Sequence, residues 1–248
     1  MDHMNFAHAR FDYEPYPICY IPDFLSPADY EALADTYPSL DSFNHKPMLG
    51  DKYSLAEGNN ADFYFRFLHD NPCWLEFYNR IKSKAFVEEV LTLLKNNYID
   101  LGIGDFRLTR STSGGWSDLL ARAFTTNTLR TRFEFSIMSA DGGHILPHTD
   151  AEAKLVTIVV SFIRGGEWQS EWGGGTDVLT PADPTSVFAR ANRRLPFDKM
   201  RVSRTLPFAP NQAVLFVKTY NSWHAVSPMH GPPNAVRKTV TINIERLM

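Results

Sequence analysis

The segment ILPHTDAEAKLVTIVV, residues 145 to 160, sets His148 and Asp150 two positions apart, directly before a run rich in β-branched residues. In an extended strand, residues i and i+2 point to the same face, so imidazole and carboxylate converge. Two ligands do not make a metal site, and the third candidate is His224 in FVKTYNSWHAV, 76 residues further on at the end of another apolar run. Two imidazoles and one carboxylate gathered on one side of a divalent ion leave positions open for reactants. Non-haem Fe(II) with dioxygen uses such a set, and so does hydrolytic zinc. His144 and His148 have the i, i+4 spacing of two ligands on a helix, but Pro147 and Gly142-Gly143 exclude that helix. His8, His45, His69 and His230 have no carboxylate or second histidine at ligand spacing.

A second constellation follows His224 by 13 residues. In VRKTVTINI (236 to 244), Arg237, Thr239 and Thr241 share one strand face, while Val240, Ile242 and Ile244 share the other. An arginine and two hydroxyls on the inner face are unusual for a strand that only packs. They suit a fork for a dicarboxylate, since guanidinium gives two parallel charge-assisted bonds. Lys238 lies on the opposite face, so Arg237 is the clamp expected.

These residues need strands to carry them. FEFSIMS (133 to 139), LVTIVVSFI (155 to 163), TDVLT (176 to 180), AVLFVK (213 to 218) and VRKTVTINI read as short strands. Breaks at DGG (141 to 143), GG (165), GGG (173 to 175) and PMHGPP (228 to 233) divide them. The first part of the chain reads as helical. Ser26-Pro27-Ala28-Asp29 and Asn71-Pro72 are helix starts, and Trp74, Phe77, Tyr78 and Ile81 share one helical face. Residues 39 to 62 are polar and turn-rich, as in a long loop or an edge hairpin. The fold expected is mainly β with N-terminal helices (α+β), a jelly-roll core flanked by helices. The expected organisation is a single domain over 1–248, with 1–131 as helical and loop support and 132–248 as the β core.

Composition narrows the classes of function. No run approaches the roughly 18 apolar residues of a membrane helix, and the N-terminus lacks a basic region followed by an apolar one, so a cytoplasmic protein is expected. Cys19 and Cys73 build neither a disulfide framework nor a four-sulfur metal site. Residues 1 to 100 hold 8 Lys and Arg against 16 Asp and Glu, whereas 101 to 248 hold 17 against 12. The positive charge concentrates in 107 to 132 and 190 to 204 without a dense basic run interleaved with aromatics, so no nucleic-acid partner is expected.

In order, LPHTD (146 to 150), LVTIVVSFI, EWGGGTDVL (171 to 179), NQAVLFVK (211 to 218), WHAVSP (223 to 228) and RKTVTI (237 to 242) resemble the 2-oxoglutarate and Fe(II)-dependent oxygenases, particularly their prolyl-4-hydroxylase-like branch. The resemblance covers residues 132 to 246 and implies a double-stranded β-helix of the cupin-like kind. PICYIPDFLSPADYEAL near the N-terminus is similar to the strand and covering helix that begin such proteins. The resemblance implies Fe(II) at His148, Asp150 and His224, with the distal carboxylate of 2-oxoglutarate on Arg237 and Thr239. It implies O2 as co-reactant, succinate and CO2 as products, and hydroxylation of an aliphatic C–H. Halogenating relatives replace the aspartate with a small residue, and here Asp150 is present. Two departures mark this chain: many prolyl-hydroxylase-like members clamp with lysine and carry a tyrosine on the strand before HxD, where this one has Arg237 and FEFSIMS. A zinc hydrolase on the same ligands leaves Arg237 without a role. A cupin-like or lectin-like binding protein would be expected to carry HxH rather than HxD.

The substrate expected is a small molecule, with a free amino acid, a sugar or nucleotide conjugate and a peptidyl side chain all open. Two irregular stretches, 109 to 131 and 181 to 210, are expected to frame the pocket mouth. Their arginines point to a substrate with a carboxylate or phosphate, and Trp116, Trp168 and Trp172 are candidate stacking surfaces, with packing under a loop as the alternative for each.

Overall fold

In the computed structural model, which describes residues 4–47, 50–109, 127–190 and 192–247, two long strands lie side by side. They are β6 (Asn127–Ser139) and β13 (Val236–Arg246), antiparallel, with Thr239 opposite Ser136 and Thr241 opposite Glu134. Phe133, Phe135, Val240, Ile242 and Ile244 face one way into the main apolar core. Glu134, Ser136, Arg237, Thr239 and Thr241 face the other way into a cavity. The period of two thus decides which wall is oily and which is wet.

Six further strands complete the β core: β7 (Ile145–His148), β8 (Lys154–Ser161), β9 (Thr176–Pro181), β10 (Met200–Leu206), β11 (Ala213–Val217) and β12 (His224–Val226). The eight strands divide equally, β11-β8-β13-β6 in the larger sheet and β10-β9-β12-β7 in the smaller. The sheets face each other, since Val178 of β9 packs with Val214 and Phe216 of β11, and Met138 of β6 with Val226 of β12. This is the mixed α+β architecture of a double-stranded β-helix.

The N-terminal region covers the outer face of the larger sheet and lengthens its edges. The described residues there form four helices, α1 (Pro27–Asp35), α2 (Ala61–Asp70), α3 (Pro72–Ile81) and α4 (Lys84–Asn96), of which α1 and α3 begin at the two helix starts read from the sequence. Ser26 and Ser83 cap α1 and α4 by accepting from the Asp29 and Phe86 amides. β1 (Arg10–Asp12) and β2 (Ile18–Ile21) extend the sheet beyond β11. The turn-rich segment 39 to 62 contains an edge hairpin, β3 (Asn44–Lys46) and β4 (Lys52–Ala56), that docks on β6, while β5 (Phe106–Thr109) pairs with β6 in parallel. The stretch 181 to 210, expected to be irregular, contains β10, which pairs with β9 through a bulge between Val202 and Arg204. The alternation that betrays other strands is broken there by the bulge and by exposed residues on both faces. No helix among the described residues is long and apolar enough to cross a membrane.

Trp74 of α3 is fully buried between the helices and the larger sheet, with its ring 4.7 Å from Phe135 and 5.1 Å from Phe162. Its Nε1 donates to the Thr36 carbonyl, so the ring also fixes the end of α1. Trp74→Ala is expected to cost about 3–5 kcal/mol, read by chemical denaturation.

Candidate metal centre and its cavity

β7 and β12 are adjacent antiparallel strands of the smaller sheet, and their register sets His148 directly opposite His224. The ring centroids are 4.3 Å apart. Asp150 lies just past the end of β7 rather than inside an extended strand, yet its carboxylate still converges with both imidazoles. One ligand atom from each of the three residues lies within 4.8 Å of the other two. Among the described residues this is the cluster of histidine, cysteine and carboxylate groups with metal-binding geometry.

The ring orientations are fixed by backbone. Nδ1 of His148 lies 2.9 Å from the Leu146 carbonyl, and Nδ1 of His224 lies 2.9 Å from the Ser222 carbonyl. A carbonyl only accepts, so each Nδ1 carries the proton and each Nε2 keeps its lone pair for a metal. Trp223 holds β12 in place, with its buried Nε1 donating to the Val187 carbonyl and its own carbonyl accepting from the Tyr16 hydroxyl. Asp177 of β9 accepts from the Ser227 amide and hydroxyl just past β12 and from the Thr205 hydroxyl of β10. The register of His224 is therefore pinned from both sides.

Asp150 is held by two groups the sequence reading did not single out. Lys154 Nζ donates to Oδ1 at 2.7 Å and the Thr157 hydroxyl donates to Oδ2 at 2.8 Å. Burial opposes ionisation of Asp150, but Lys154 and the two histidines outweigh it and hold the carboxyl well below the usual range. The i, i+4 offset of Lys154 is visible in HTDAEAK. Outside a helix, that spacing carries no contact until the β7–β8 turn brings the two together. Thr149 between the ligands is buried away from the cavity, its amide donating to the Arg193 carbonyl.

Burial and the neighbouring His224 lower the His148 pKa to about 3, and burial lowers that of His224 as well. Protons therefore compete for the ring nitrogens only well below the ordinary histidine value near 6.5. Both rings stay neutral in the folded protein at neutral pH, with an oriented lone pair and an ionised carboxylate beside them, and the donor set fits a divalent cation.

The triad lies on the wall of a half-open cavity of about 570 Å3 between the sheets. Arg237, Thr239 and Thr241 line the same cavity from β13. The Arg237 Nε donates to the Gly174 carbonyl at 2.7 Å, and its guanidinium stacks over Phe208 at 4.6 Å. Gly174 has φ +83°, and a Cβ there would lie 2.9 Å from Trp168 and 3.4 Å from Arg237 Cδ, so the GGG turn makes room for this approach. Lys238 faces away toward Glu167. Trp172 is not brought to the cavity. It packs edge-on against Trp168 at 5.5 Å and against Gly231, where absence of a side chain lets the ring in, so it backs the wall rather than offering a stacking surface. Trp116 lies outside the described residues.

Residues 133–245 match the sequence family described as the 2OG-Fe(II) oxygenase superfamily. That part of the chain carries the superfamily's sequence signature. Within it, His148, Asp150 and His224 have the HxD and distal-histidine arrangement of that superfamily, whose typical cofactors are Fe(II) and 2-oxoglutarate. Comparison with curated proteins gives no match. Among solved structures, a prolyl-4-hydroxylase of Pseudomonas putida superposes with a TM-score of 0.51 at 14% identity, covering 98% of this chain and 95% of that one. A prolyl 4-hydroxylase of Phytophthora capsici gives 0.52 at 16% identity, covering 92% of this chain and 58% of that one. At such identities the likeness is one of fold.

Two measurements test the electrostatics of this candidate metal centre. Because the folded His148 pKa lies below the unfolded value, the unfolded chain takes up protons first. Stability of the metal-free protein is therefore full above about pH 6.5 and falls as pH drops toward about 3. Melting temperature should decline more steeply over pH 6.5 to 4 in the wild type than in His148→Gln. Lys154→Met should weaken divalent-metal binding about 10–100-fold in equilibrium titration while the fold, read by circular dichroism, is retained.

Proposed function

We propose that this chain is an Fe(II)- and 2-oxoglutarate-dependent dioxygenase that hydroxylates an aliphatic C–H of a small molecule, converting 2-oxoglutarate and O2 to succinate and CO2. The observation that carries the 2-oxoglutarate assignment is Arg237. It is 4% exposed, lines the cavity that holds the triad, and has no carboxylate partner among the described residues. Desolvation lowers its pKa to about 10, which still leaves it charged at neutral pH. A buried, unpaired guanidinium is costly unless a bound anion pairs with it. The distal carboxylate of 2-oxoglutarate supplies that anion, with the Thr239 hydroxyl beside the clamp as a further donor.

In this reading His148, Asp150 and His224 hold the metal, and Fe(II) supplies the dioxygen chemistry that couples loss of CO2 from 2-oxoglutarate to oxidation of the substrate. The protein itself moves no covalent bond. Thr157 and Lys154 fix the carboxylate ligand, and the Leu146 and Ser222 carbonyls keep both imidazoles in the metal-binding tautomer. Phe216, whose ring sits 4.3 Å from that of His224, forms with Ile145 and Val226 an apolar part of the lining that limits water near the reacting carbon. A cavity of this volume is in the range of small-molecule sites.

Substrate-independent succinate formation from 2-oxoglutarate under air is the direct assay. The wild type should turn over slowly without substrate and show a weak visible absorption band when Fe(II) and 2-oxoglutarate are mixed anaerobically. His148→Ala and Asp150→Ala should abolish both signals. Arg237→Ala should raise the KM for 2-oxoglutarate by at least about 30-fold, with Arg237→Lys intermediate. Retained turnover in both triad variants would remove the iron assignment, and an unchanged KM in Arg237→Ala would remove the clamp.

A further inference from the structure

The cavity carries more positive charge than the proposed chemistry consumes. Of its cationic lining, Lys154 is taken by Asp150, Arg237 is assigned to 2-oxoglutarate, and Lys52 is paired with Glu134 at 2.6 Å. Arg132 reaches Glu245 at 3.4 Å. Burial opposes ionisation of Glu134, yet Lys52 and Arg132 hold its carboxyl below the ordinary range, so it is already neutralised and offers nothing to further cations. Lys46 and Arg194 are left. Both line the cavity, and neither has a carboxylate partner among the described residues.

Their placement is specific. Segment 192–195 runs along the free edge of β7 and extends the smaller sheet. The Leu195 amide donates to the Pro147 carbonyl, the Thr149 amide donates to the Arg193 carbonyl, and Arg194 forms an antiparallel bridge with His148. Directly paired residues present their side chains on one face, so Arg194 stands beside a metal ligand on the cavity side. Lys46 ends β3 on the opposite wall, where its register partner across the hairpin is Lys52. Two lysines directly opposite one another repel. An isolated fold has no use for that pair together with an unpaired arginine across the same opening, whereas a bound anion relieves both.

We propose that the substrate of this site carries an oxyanion, a carboxylate or a phosphate, held between Lys46 and Arg194 so that a carbon beside it faces the metal. The proposal rests on the oxygenase reading above and adds the class of substrate. Lys46 supplies a mobile point charge from the edge hairpin, and Arg194 a planar fork from the segment bridged to β7. The selectivity expected is for anionic over isosteric neutral molecules.

The full-length protein, loaded with Mn(II) and saturating 2-oxoglutarate, is titrated calorimetrically with inorganic phosphate, with acetate, and with acetamide as the neutral isostere of acetate. Phosphate or acetate should bind and acetamide should not, with the tighter of the two anions identifying the group. The double substitution Lys46→Ala and Arg194→Ala should weaken anion binding at least tenfold, whereas Lys199→Ala, which removes an exposed charge away from the cavity, should leave it unchanged. Folding of each variant is checked by its melting curve, and Lys46→Gln with Arg194→Gln serves if the alanine pair melts early. Absence of anion binding to the wild type, equal binding of acetate and acetamide, or wild-type affinity in the double variant would overturn the proposal. Repeating the titrations without Mn(II) and 2-oxoglutarate separates the two readings. Failure of 2-oxoglutarate to bind sinks the oxygenase assignment, while the anion result is still decided by Lys46 and Arg194.

Discussion

The antiparallel register that sets His148 of β7 against His224 of β12 brings together two residues 76 positions apart, and each ring is oriented by the backbone carbonyl two residues before it. A slip of one residue would turn one imidazole to the other face of the sheet and leave its neighbour without a partner. Much of the smaller sheet serves this pairing. Asp177 ties β9 to the chain on both sides, Trp223 anchors β12 beneath residue 187, and segment 192–195 covers the outer edge of β7.

The larger sheet meets a different constraint, since each of its central strands must satisfy two unlike environments. The helices need an apolar surface, which Phe133, Phe135, Val240 and Ile242 provide. The cavity needs charge and hydroxyls, which Glu134, Ser136, Arg237 and Thr239 provide from the alternate positions. Because the polar face is enclosed by a second sheet instead of bulk water, each charge on it must find a partner or await one. Glu134 and Asp150 have theirs in Lys52 and Lys154. Arg237, Lys46 and Arg194 lack a carboxylate partner among the described residues, and that imbalance underlies both the cosubstrate and the substrate proposals.

What could be read from the sequence followed from short-range rules. The i+2 convergence of His148 and Asp150 holds even though Asp150 falls past the strand end, because one extended step suffices to bring both groups to one side. The face assignment of Arg237 against Lys238 holds because alternation survives sheet twist. Ser26 and Asn71-Pro72 mark helix starts because they answer local backbone needs. By contrast, β10 was hidden by its bulge, and Trp172 looked available because nothing in EWGGG shows that Gly231 lets its ring pack inward.

Sequence by itself determined the chemistry on offer: two imidazoles and a carboxylate for a metal, an arginine on a polar strand face, and a β core with helices before it. Those features depend on residue type and on periods of two or four residues, which are local. Tertiary structure decided the protonation and the company of those groups. It depressed the histidine pKa values by burial, gave Asp150 to Lys154 and Thr157, and set Arg194 beside His148 and Lys46 against Lys52. Each of these depends on distance across strands and on exclusion of water, which arise only when remote segments are brought together and solvent is displaced.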